Sequence, residues 1–197
     1  MKDKEMTAGM KINKGEYGYR KQHKKIQMMI TGLLIAAIII QLAARFFTDN
    51  KATKNILTVM AILTVLPMAN VASPLLASWK YKTPSAEFHK KMLPYEENGI
   101  FLYDLIVTTK ECVIPLDGVI VHPAGIYGYC ISSRLNISKA EKELRELFKN
   151  NRLNVNIRLI TDEKSFLRRL DSLKPASEYE DDGTVEYEAQ LLKTLSM

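Results

Sequence analysis

The run IQMMITGLLIAAIIIQLAA at residues 26–44 and the run ILTVMAILTVLPMANVASPLLASW at residues 56–79 decide the class of this protein. No charged residue falls between Lys25 and Arg45, or between Lys54 and Lys80, so the uncharged gaps are 19 and 25 residues long. A bilayer core about 30 Å thick is spanned by roughly 20 apolar residues in a helix, and both gaps qualify. A purely water-soluble protein is therefore excluded as an expectation. We read transmembrane helices over residues 26–47 and 55–79, with a short external loop at 48–54. A cleaved signal peptide accounts poorly for the first run. The leader ahead of it is long, the apolar stretch exceeds an h-region, and no small-x-small cleavage site follows. Pro67 and Pro74 predict a kinked second helix whose freed carbonyls need Thr, Ser or neighbouring-helix partners. Trp79 and Tyr81 stand where an interfacial aromatic anchor belongs.

Orientation follows from charge. Residues 1–25 carry eight basic side chains, Lys2, Lys4, Lys11, Lys14, Arg20, Lys21, Lys24 and Lys25, while Lys80, Lys82, Lys90 and Lys91 follow the second span. The loop carries only Arg45, Lys51 and Lys54. The positive-inside rule then places both termini in the cytoplasm, in a multi-pass protein of an inner-membrane type. That location also keeps Cys112 and Cys130, the two cysteines of the chain, reduced. Two cysteines are too few for a disulfide framework. No ionisable residue lies between residues 26 and 44 or between residues 55 and 79. Gln41, Asn70 and the small-residue spacings Gly32/Ala36 and Ala69/Ser73/Ala77 read as helix–helix packing rather than a transport path.

The net charge of +6 is unevenly spread. The basic N-terminal segment, residues 1–25, predicts contact with anionic lipid at the bilayer surface. Nucleic-acid binding by its aromatic-interleaved part, YGYRKQHKK at 17–25, is the sharper reading, but topology already accounts for those lysines. The C-terminal tail, residues 176–197, gathers Glu178, Glu180, Asp181, Asp182, Glu186 and Glu188. It reads as a solvated acidic segment ending in one short amphipathic helix.

Residues 83–175 make the water-facing domain, with the element order α-β-β-β-α-β-α. A short helix lies between Pro84 and Pro94. Strands follow at 100–108, 112–122 and 126–133, with a Pro-Ala-Gly turn at Pro123–Gly125 between the last two. Ser138 and Glu141 form an S-x-x-E capping box for a helix whose apolar face is Leu144, Leu147 and Phe148. Val155, Ile157 and Leu159 alternate along a strand. Thr161 or Asp162 caps a last helix carrying Phe166, Leu167, Leu170 and Leu173. The sequon at Asn136–Ser138 is silent in the cytoplasm.

Register decides what the second and third strands bring together. An even-numbered connection makes paired positions sum to 247, which sets Asp117 opposite Cys130 with Ser132 on the same face. A three-residue bulged loop would separate Asp117 from Cys130. Either connection suits the residues.

The stretch LDGVIVHPAGIYGYCIS at 116–132 resembles the central motif of the nuclease-related domain (NERD), a branch of the PD-(D/E)xK restriction-endonuclease-like fold. Asp117 matches the Asp of that motif, Pro123 and Gly125 its turn, Ile126 and Tyr127 its next strand, and Glu87 is similar to the acidic residue on the preceding helix. The Glu position falls on Cys130 and the Lys position on Ser132. A thiolate is a poor ligand for Mg²⁺, which prefers hard oxygen donors, and a serine supplies no positive charge. The resemblance thus implies a nuclease-like fold with a vestigial site, Asp117, Cys130, Ser132 and Glu87, and neither cofactor nor metal. The function expected is binding or scaffolding of a protein or nucleic-acid partner at the membrane. One rival is a metal-dependent nuclease in which Glu111, Asp104 or Glu87 has taken over beside Asp117. The other is an accessory subunit assembled through the membrane hairpin. A thiol enzyme built from Cys130, His122 and Asp117 is disfavoured by the five-residue spacing of His122 from Asp117, which points them to opposite faces of a regular strand. Asp104 in an apolar strand reads as a structural residue, either a partner for a Lys or Arg or the cap of a turn. Cys112 and His89 read as ordinary strand and helix residues.

Overall fold

The structure is a computed structural model that describes residues 12–131, 135–180 and 183–197. The described residues divide into two compact units, one drawn from residues 12–20 and from Thr83 onward, the other from Lys21–Lys82.

The second unit consists of two long apolar helices. Helix α1 runs Tyr19–Phe46 and helix α2 runs Lys51–Ser78, each 28 residues. Both are long and apolar enough to cross a membrane. Their apolar stretches are almost wholly exposed, as Leu33, Ile40, Ile62 and Leu66 illustrate, which sets them apart from core helices of a soluble domain. Asn50 caps α2 by accepting from the Ala52 N–H at 2.9 Å. The Lys24 ammonium donates to the carbonyls of Trp79 and Tyr81 at 2.9 and 2.7 Å, so the start of α1 lies beside the end of α2. Pro67 and Pro74 both sit inside α2. The Thr64 and Ser73 hydroxyls bond Met60 O and Ala69 O, their own carbonyls four residues back. The carbonyls that these prolines deprive of a donor, Leu63 and Asn70, are therefore not the ones these hydroxyls serve.

The sheet unit has four strands in the order β1 (Ile100–Thr108), β2 (Val113–His122), β3 (Gly125–Tyr129) and β4 (Ile157–Ile160). The first three form an antiparallel meander and β4 joins β3 in parallel. Helix α4 (Ile137–Asn150) makes the crossover that a parallel pair requires. It covers one face of the sheet together with α6 (Thr184–Leu195). On the other face lie α3 (Ala86–Met92) and α5 (Glu163–Asp171), through Phe88, Met92, Phe166 and Leu170. Burial on both faces explains why β2 and β3 read as near-continuous apolar runs.

Several local expectations are corrected. The cap of α4 is Asn136, whose side chain accepts from Lys139 N at 3.1 Å, so Ser138 is already inside the helix. Glu141 does not close a capping box but accepts from Leu159 N at 2.8 Å. Pro94 does not end the chain's helical course after α3, because a 3-10 turn continues through Leu93–Asn98. The solvated tail does not extend to the C-terminus. Ala189 and Leu192 of α6 fill the core and Glu188 is buried.

Both sheet edges are closed. On β1 the Tyr103 N–H donates to Gly15 O at 2.7 Å, Ser196 bridges to Val107, and Met197 N donates to Ile106 O at 2.9 Å. On β4 the outward N–H of Leu159 is taken by Glu141, and the outward carbonyl of Ile157 by the Arg145 guanidinium at 3.2 Å. An open strand edge is a template for unwanted pairing, and here side chains and chain termini occupy it.

Candidate functional site

The connection between β2 and β3 is the two-residue turn Pro123–Ala124, with His122 paired to Gly125 and Gly118 to Tyr129. Every pair sums to 247. Gly125 adopts φ +132, and a Cβ there would lie 2.4 Å from Asn156 O, so the turn needs glycine for its backbone and for its neighbour. Cys130 follows the last of these pairs, one residue beyond the ladder, and the next residue, Ile131, donates its N–H to Asp117.

The same stretch carries an irregularity that sequence alternation hides. Leu102 and Leu105 of β1 lie in one apolar cluster, as do Leu116 and Val119 of β2. Residues three apart belong on opposite faces of a regular strand. The alternation therefore slips by one residue in each strand, at Asp104 and around Asp117. Asp104 takes φ +58, a left-handed conformation that Asp tolerates better than most residues. The β1–β2 pairs sum to 221 on either side of the slip, so Asp104 and Asp117 face one another across the two strands.

Between these aspartates lies Arg20. Its Nη1 donates to Asp117 Oδ1 at 2.8 Å, its Nη2 donates to the carbonyls of Leu105 and Leu116 at 3.0 and 3.3 Å, and its Nε lies 3.7 Å from Asp104 Oδ1. Asp104 Oδ2 accepts from Gly18 N and Asp117 Oδ2 from Ile131 N, both at 2.8 Å. All three residues are at most 5% exposed. Among the described residues the cluster sets two carboxyl groups against one guanidinium. Burial pushes both carboxyl groups above the usual aspartate range, opposed by the Arg20 charge. By sequence alone Arg20 groups with the lysines of the N-terminal segment. It is a buried counter-ion of the sheet, brought there by residues 12–20. Tyr17 stacks on His89 at 4.2 Å in the same segment.

The sequence-derived residues are thus partly assembled. Asp117 is buried with both oxygens engaged. Cys130 is wholly buried in the apolar cluster on the α4 and α6 side, and burial pushes its thiol up, reinforced by the Asp117 charge. Ser132 lies outside the described residues. Glu87 is exposed in the first turn of α3, where its charge acts on Lys91, while Phe88 and Met92 take the inward positions. Glu111 pairs with Lys139 at 2.6 Å on the surface. His122 is held at the turn: its Nδ1 accepts from Ala124 N at 3.0 Å, which leaves Nε2 to donate to Lys174 O at 2.9 Å. Cys112 is half-buried beside the Thr109 hydroxyl. Among the described residues no three His, Cys, Asp or Glu side chains converge as a metal-ligand set.

Asp104 does meet a basic side chain, as its place in an apolar strand suggests, and what the sequence leaves unnamed is that the partner is Arg20. The available signal was electrostatic: two aspartates in apolar strands require a cation, and a buried charge without a partner is strongly disfavoured. Comparison of the chain with family models, with curated proteins and with solved structures returned no match.

Proposed function

We propose that the chain is a membrane-anchored binding or scaffold protein whose sheet domain keeps a nuclease-like frame without nuclease chemistry. In this reading α1 and α2 span the cell membrane as a hairpin, both termini face the cytoplasm, and the sheet domain presents a partner surface there. The observation that carries it is the closure of Asp117. One of its oxygens is taken by a guanidinium from the same chain and the other by a backbone N–H. A divalent cation needs those lone pairs, and Arg20 already supplies the positive charge. The Glu position of the motif holds a thiol whose burial keeps it protonated. The meander followed by a helix and a parallel fourth strand supports the resemblance in element order.

The test uses the full chain in detergent, incubated with single- and double-stranded nucleic acid and Mg²⁺ or Mn²⁺, beside Asp117→Ala. No cleavage by the folded protein is expected. Cleavage that Asp117→Ala abolishes overturns the proposal in favour of a nuclease in which Asp104 works beside Asp117. Orientation is tested by single cysteines in a cysteine-free chain, one at Asn50 and one at Glu180. Only the first is expected to react with an impermeant maleimide added outside intact cells.

A further inference from the structure

The sheet domain holds a cavity of about 450 Å³ at the β4 edge, between β3, β4 and α5. We infer that this cavity binds a small organic phosphate through Arg158 and Arg169. This site stands on the sheet domain alone and requires neither the nuclease resemblance nor the membrane reading.

Tyr127 organises it. The ring is buried, and its hydroxyl donates to Ala124 O at 3.2 Å while accepting from Arg169 Nη2 at 2.5 Å. Arg169 Cζ sits 4.4 Å from the ring centroid, a cation–π geometry. Its Nη1 also donates to the Ser172 hydroxyl at 3.3 Å. The planar group is thus held by neutral partners, and three of its five N–H donors stay available for a ligand. Arg158 is the parallel-ladder partner of Tyr127, so it stands beside the tyrosine on the adjoining strand. No ion pair joins Arg158 or Arg169 to a carboxylate among the described residues. Asn156 adds an exposed amide to the lining and the half-buried Ile160 gives an apolar wall, while Leu159, also at the lining, packs into the cluster on the other face of the sheet.

One carboxylate, Glu141, also lines the cavity. Its charge is already committed, one oxygen to Leu159 N at 2.8 Å and the other 3.5 Å from the Arg145 guanidinium. Two guanidiniums without acidic partners in one concavity match the planar-fork recognition of phosphate oxygens. The volume exceeds what a bare phosphate fills and leaves room for a glycerol or sugar moiety against the apolar wall. The same chemistry is offered by a free phosphate ester and by the phosphate-monoester headgroup of a lipid.

The experiment is calorimetric titration of the full chain in a zwitterionic detergent with glycerol 3-phosphate and, separately, with dihexanoyl phosphatidic acid. Glycerol and dihexanoyl phosphatidylcholine are the controls. Binding of at least one phosphate ligand is expected, weakened about tenfold or more by Arg158→Gln and by Arg169→Gln, as loss of a charge-assisted contact implies. Arg168→Gln removes an equal charge one residue away, and its effect is expected to stay under about twofold. Arg158 is exposed on a strand, so Arg158→Gln tests the site without disturbing the core. Tighter binding of phosphatidic acid assigns a lipid source, and equal or tighter binding of glycerol 3-phosphate assigns a soluble ester. Absence of binding by both ligands, or equal weakening by Arg168→Gln, overturns the proposal.

Discussion

Arg20→Met places the central claim about the buried cluster at risk. The substitution keeps an unbranched side chain of similar reach and removes the guanidinium that pairs with Asp104 and Asp117. It also strips a donor from the carbonyls of Leu105 and Leu116. Breaking a buried pair by removing one partner costs about 3–5 kcal/mol, because the remaining charge stays buried. That corresponds to a loss of roughly two to three and a half orders of magnitude in amide protection. Hydrogen exchange of β2 peptides, followed by mass spectrometry on the full chain in detergent, reads it directly. The sign with pH is also set. Both carboxyl groups hold protons to higher pH in the fold than in the unfolded chain, so the folded state binds more protons across that window. Their contribution to stability is therefore present below the ordinary aspartate range and is lost as pH rises through the raised values. Without Arg20 this trend steepens, and the penalty of Arg20→Met is expected to grow from mildly acidic to neutral pH, after correction for intrinsic exchange. Adding Asp104→Asn and Asp117→Asn removes the stranded charges. It keeps the acceptors for Gly18 N and Ile131 N and retains a residue type that tolerates positive φ, so the triple variant is expected to recover most of the loss. Protection unchanged by Arg20→Met, or a pH-independent loss that the asparagines do not repair, refutes the reasoning.

Three further outcomes are expected. Asn136→Ala should lower the stability of α4 by about 1 kcal/mol and Ser138→Ala by only a few tenths, measured by exchange at the helix N-terminus; the reverse order would restore the capping box. Gly125→Ala should destabilise the β2–β3 turn by about 1–3 kcal/mol, seen in chemical denaturation of the full chain, because the added methyl meets Asn156 O and the backbone is at φ +132. Iodoacetamide at pH 8 should modify Cys112 and spare Cys130 until the chain is denatured, since Cys130 is fully buried and its thiol is pushed up. Native-state modification of Cys130 would show that the cluster around it opens.

Much of the architecture was legible because it is written in short-range periodicity. The uncharged runs identify α1 and α2 by length alone. Strand β1 was read at its observed bounds, Ile100–Thr108, because nothing in that run but Asp104 competes with a strand. The residues at the β2–β3 turn suit an even or a three-residue connection, and the even one at Pro123–Ala124 carries the 247 register with it. Of the two caps the sequence offers for α5, Thr161 and Asp162, it is Asp162 that accepts from the Ser165 N–H.

What tertiary structure decided is where charge and chain ends go. The Arg20–Asp117 contact spans 97 positions, and no local window separates that arginine from the lysines around it. Which residue caps α4 turned on Leu159, since Glu141 can serve either its own helix N-terminus or the β4 edge, and the sheet takes it. The paired slip at Asp104 and Asp117 is likewise invisible to alternation, because it is stabilised by a guanidinium arriving from another segment. Local sequence sets which residues favour helix, strand or bilayer. Only the folded chain sets which buried charges meet, because a cation desolvated beside two carboxylates is tolerable in one place alone, against both of them.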